Sequence, residues 1–65
     1  MATLVIGFSK DVPEDQARSD AEVELHELAE RRGMSVISTV LTRVVHDAER
    51  EAVGEYAVEV WADLV

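Results

Sequence analysis

Sixty-five residues can hold a single domain (1–65) and only a small core, so a chain of this size is marginally stable alone. Cysteine is absent, which excludes disulfides and thiolate metal sites and leaves an efficient core or self-association as the means of stabilisation. Fourteen acids against six bases give a net charge of −8, which opposes binding to nucleic acid or to anionic membranes.

The hydrophobic fraction of 48% is that of a globular chain rather than a disordered one. Leu4-Val5-Ile6, stopped by Gly7, is too short for a signal sequence, and no apolar run approaches a membrane span. A cytoplasmic protein is expected. The acidity suits solubility and, secondarily, a basic protein partner.

In chain order, residues 2–9 read as a first strand, with Leu4, Ile6 and Phe8 on one face and Thr3, Val5, Gly7 and Ser9 on the other. Lys10-Asp11-Val12-Pro13-Glu14 breaks the strand and starts a helix. Asp11 with Glu14 has the spacing of a capping box, and Pro13 fits only the first turn. The helix is expected to reach Arg32, with Ala17, Ala21, Leu25, Leu28 and Ala29 on its apolar side and Gly33 just beyond its end. Ser19, three residues before Glu22, offers a later start, in which case 10–18 is loop.

Residues 34–46 read as a second strand dense in β-branched side chains. Strict alternation puts Val36, Val40 and Val44 on one face and Ile37, Leu41 and Val45 on the other. A strand apolar on both faces is usually covered on both, and one helix covers only one, so a homo-oligomer is expected. Residues 47–53 form a polar connection or a helical turn.

The last stretch, Val53 to Val65, alternates as a third strand with Tyr56, Val58, Val60, Ala62 and Leu64 on one face and Ala57, Glu59, Trp61 and Asp63 on the other. The same stretch also fits a helix capped by Asp47, which would make the order β-α-β-α. Gly54 and the β-favouring Val53, Tyr56, Val58, Val60 and Trp61 favour the strand. The expected fold is therefore α+β: a three-stranded antiparallel sheet with one helix on one face, in the order β-α-β-β.

Chemistry-bearing patterns are few. His26-Glu27-Leu28-Ala29-Glu30 has a glutamate where a metalloprotease helix needs its second histidine. Glu22, His26 and Glu30 share a helical stripe that reads as a solvated acidic face, and no metal site is expected. Ser9-Lys10-Asp11 has no histidine nearby to activate the serine. The glycines, at 7, 33 and 54, are too scattered for a phosphate loop; Gly7 marks a bulge or a close approach. No catalytic residue is assigned, and a non-enzymatic interaction module is expected.

Trp61 points away from the Tyr56 face and so onto the uncovered face of the sheet. With Val5, Ile37, Leu41 and Val45 it makes the set of candidate interface residues, since aromatic side chains are enriched in interface cores. The alternative role for Trp61 is a stacking platform for a flat ligand.

The element order, the element sizes and Glu55-Tyr56-Ala57-Val58-Glu59-Val60 resemble dodecins, small β-α-β-β proteins that form hollow dodecamers and bind flavins. The six residues are similar to the last dodecin strand, in which an aromatic and a valine alternate with polar residues. The resemblance implies flavin as a cofactor and self-assembly as the state. Dodecins stack flavin on a tryptophan early in the second strand; here Met34 to Val36 occupy that region and the tryptophan, Trp61, lies in the third strand.

Overall fold

The computed structural model describes all of residues 1–65. Its elements are β1 (Ala2–Ser9), α1 (Glu14–Arg31), β2 (Val36–Val45), α2 (Ala48–Ala52) and β3 (Glu55–Leu64). The strands form one antiparallel sheet in the order β1-β3-β2, so the last strand is the central one. The C-terminal stretch is a strand, and the order β-α-β-β holds, with α2 as a five-residue helix inside the connection.

α1 lies across β3 and β2 and less over β1. The core joins Ala17, Ala21 and Leu25 to Tyr56, Val58, Val60 and Ala62. Three alanines on the buried side of α1, counting Ala29, let the helix approach the sheet closely. Leu28 lies at the rim, half-buried.

α1 is continuous from Glu14, so the later start at Ser19 is not used. The expected capping box is absent. Pro13 itself takes the N-cap position and no side chain caps the helix; the backbone N–H of Asp11 instead donates to Ser9 Oγ at 3.3 Å. Pro13 still serves the helix, because its carbonyl accepts the Ala17 N–H at 3.0 Å. At the other end Gly33, at φ 70°, allows the Gly33 N–H to reach the Glu30 carbonyl and the Met34 N–H to reach that of Ala29. This is the paired closure that a left-handed glycine permits.

β2 departs from strict alternation. Its residues Val36–Val45 pair with partners that run only from Leu64 to Ala57, and the register shifts between Val36 and Ser38 and again between Thr39 and Leu41. Ile37 and Val40 are thus the extra residues of two bulges. The face under α1 receives Val36, Thr39, Thr42 and Val44, while Val40, expected there, is displaced outward and 52% exposed. Thr42 takes a polar route into the layer and donates to Glu22 on α1 at 2.8 Å.

Candidate functional site: the open face of the sheet

Pairing fixes what lies on the face opposite α1. Thr3 and Leu41 flank Trp61, Val5 and Arg43 flank Glu59, and Gly7 and Val45 flank Ala57. Side chains directly opposite on adjacent strands are contact neighbours. Val5 and Leu41 are each about half exposed, at 49% and 50%, and Trp61 and Val45 are partly buried. Four of the five candidate interface residues therefore share this surface. Ile37 does not sit in its rows: it occupies a bulge beside Ser38 and is largely exposed.

The middle row carries a charge pair inside an apolar setting. Arg43 donates through Nε to Glu59 Oε1 at 2.8 Å and through a terminal nitrogen to the same oxygen. Charge is thereby neutralised between Val5 on one side and Leu41 and Val45 on the other.

The face is not wholly open, contrary to the expectation of a single covering helix. α2 packs against β3 at the Ala57 end, and Ala57 is buried although it lies on the face away from α1. Arg50 of α2 lies over Gly7, where a Cβ would stand 3.2 Å from its guanidinium nitrogen. Gly7 thus marks a close approach and not a bulge, since β1 pairs with β3 without a register shift. Asp47 fixes α2 in place, its carboxylate accepting the Arg50 N–H at 2.8 Å and lying 3.2 Å from Arg50 Nε.

A second polar cluster stands at the same end on the other face. His46 follows β2 and faces Tyr56, with ring centroids 5.6 Å apart, while Phe8 stacks on the far side of Tyr56 at 6.2 Å. His46 Nε2 is 3.2 Å from Glu14 and Nδ1 is 3.8 Å from Glu51. The Tyr56 hydroxyl donates to the Val12 carbonyl. Burial, and secondarily the charge of Glu14, raise the Tyr56 pKa above its usual 10.0. No partner of His46 is legible from its neighbours in the chain, because Glu14 lies 32 residues away. Only the pairing of β2 with β3 carries it to Tyr56.

The remaining polar candidates stay apart. Glu22 is engaged by Thr42, His26 and Glu30 remain on the exposed side of α1, and no three His, Asp or Glu side chains converge on a point where a metal would sit. Ser9 Oγ accepts a turn hydrogen bond from the Asp11 N–H. No helix is long and apolar enough to cross a membrane. No family model, no curated protein and no solved structure matches the chain.

Proposed function

We propose that this chain is a non-enzymatic, cytoplasmic interaction module that self-assembles through the open face of its sheet. The observation that carries the reading is the apolar strip of Val5, Leu41 and Trp61 on a face that α2 covers only at one end. The size of the core supports it. Only nine of the 65 residues are buried, and the largest fully buried side chains are valines. The radius of gyration, 12.2 Å, exceeds the about 10.7 Å expected of a compact domain of this length. A second copy on the open face supplies the apolar burial that the monomer lacks. The exposed carboxylates of α1, among them Asp15, Asp20, Glu24 and Glu27, support a basic protein as a further partner.

Light scattering coupled to size exclusion tests the assembly. The parent is expected to exceed monomer mass, and Trp61→Lys to lower both mass and melting temperature, because folding and association are linked. A monomeric parent, or a variant of unchanged mass, overturns the reading.

The resemblance to dodecins, together with the partly exposed indole of Trp61 between Thr3 and Leu41, supports a second reading as a binder of flavin or another flat molecule. The segment leading into β2 does not fit a stacked flavin, since Met34 to Val36 offer no aromatic ring. Trp61 is the side chain that would hold such a ring. A visible absorption band on the purified protein, lost in Trp61→Ala, supports this reading; a colourless protein that leaves added flavin fluorescence unchanged rejects it.

A further inference from the structure

The two edges of the sheet differ in a way that bears on assembly. The edge formed by β2 is interrupted by two bulges and carries Arg43. The edge formed by β1 has no bulge, no proline and no charged residue from Ala2 to Ser9. These are the devices by which exposed edges are normally kept from pairing, and β1 has none of them.

The hydrogen-bond phase of β1 is fixed by its continuation. Lys10 N–H donates to the Gly54 carbonyl at 2.8 Å, in line with the β1–β3 register. In an antiparallel ladder the bonded positions alternate, so the even residues Ala2, Leu4, Ile6 and Phe8 bond to β3. The backbone N–H and C=O groups of Thr3, Val5 and Gly7 therefore point outward along the edge. On the face under α1, Leu4, Ile6 and Phe8 remain only partly buried, because α1 is set toward β2 and β3.

We infer that β1 is a pairing edge for the β1 of a second copy, aligned antiparallel about a two-fold axis at Val5. In that register Val5 meets Val5, and Thr3 meets Gly7, so every outward N–H and C=O of these residues finds its counterpart. Leu4 and Ile6 then face each other across the axis and complete their burial. The occupant is a second copy for two reasons. The free groups are symmetric about Val5, and the segment brings no carboxylate of β1 against another despite a net charge of −8. This contact is made by backbone groups along the edge of the sheet, whereas the one assigned to the open face is made by side chains; Val5 takes part in both, through its backbone in the first and its side chain in the second.

The test compares Thr3→Pro with Thr3→Ser in the full chain, since the Thr3 side chain is not part of the apolar strip on the open face. Proline removes an outward N–H and leaves the ladder to β3 intact, whereas serine keeps the N–H and the hydroxyl. Thr3→Pro is expected to halve the particle mass, and Thr3→Ser to leave it unchanged. Trp61→Lys, which addresses the face, is expected to remain a dimer, and Trp61→Lys combined with Thr3→Pro to be a monomer. In the parent, amide exchange at Thr3, Val5 and Gly7 is expected to be slowed at least about tenfold on raising the concentration through the association range. Equal masses for Thr3→Pro and the parent overturn the inference, and loss of mass in Trp61→Lys alone would then leave the open-face assembly standing. An assembled parent in which these three amides exchange as freely as in the dilute protein overturns it without any variant. So does binding of a β-strand peptide at β1 by a chain that stays monomeric.

Discussion

On the face under α1, the central strand presents Tyr56, Val58, Val60 and Ala62, none more than 3% exposed. On the opposite face the same strand presents Glu55, Ala57, Glu59, Trp61 and Asp63, and of these only Ala57 is buried. The difference lies in what each face is offered as a cover. α1 has eighteen residues and a stripe of small side chains that lets it lie close; α2 has five and reaches only the Ala57–Gly7 end. A face needs a long, smooth partner to close, and the chain supplies one such partner for two faces.

The strongest way to break this contrast is at the helix. Leu25 is 2% exposed and joins the core, so Leu25→Ala is expected to cost roughly 2–5 kcal/mol, enough to unfold much of so small a domain. Val23, on the outer side and 54% exposed, is expected to tolerate alanine with little loss, and Leu28 at the rim to fall between. Chemical denaturation of the three variants checks the order. Equal losses at 23, 25 and 28 would deny that α1 has a buried side.

Tyr56 sharpens the contrast at its polar end. Its hydroxyl is held protonated by burial, so the folded pKa lies above the unfolded one. The stabilisation is complete below about pH 10, the unfolded value, and is lost as pH rises toward the folded pKa. The melting temperature is therefore expected to fall above pH 10. Tyr56→Phe is expected to be less stable at neutral pH, having lost the bond to Val12, and to show a shallower alkaline decline. Parallel alkaline profiles for the two proteins would refute the assignment.

Much of this arrangement is legible in the sequence. Alternation through Tyr56, Val58, Val60 and Ala62 marks the buried face of β3, and Ala17, Ala21, Leu25 and Ala29 mark the helix side that meets it. The bulges at Ile37 and Val40 are not legible, because neither is a glycine or a proline and both are good strand residues. They come from pairing with β3, which is a tertiary constraint. The capping box fails for a local reason: Pro13 sits where the cap belongs and Asp11 is drawn to the Ser9 turn. The cover over Ala57 is hidden too, since five polar-rich residues give no amphipathic signal.

On the open face the expected effects are smaller. Arg43 and Glu59 pair with the arginine side chain well exposed, at 61%, so Arg43→Ala is expected to cost only about 0.2–1 kcal/mol in the dissociated chain. A larger loss at concentrations where the protein is assembled would show that this pair lies inside the contact. The smallest expected change is a rise in melting temperature between low and physiological salt, as screening relieves repulsion among fourteen acids. A fall would show that ion pairs such as Arg43–Glu59 and Arg50–Asp47 outweigh it.

The bulges of β2 set a limit on growth. A sheet with two smooth edges can add strands on either side without end, which is the geometry of a fibre. Here Ile37 and Val40 spoil the ladder on one side, while β1 stays straight on the other. In the proposed pairing of β1 with the β1 of a second copy, only bulged edges would remain outside, and the extended sheet would end at six strands. Two irregular residues in a strand otherwise suited to aggregation thus favour a particle of fixed size over a polymer.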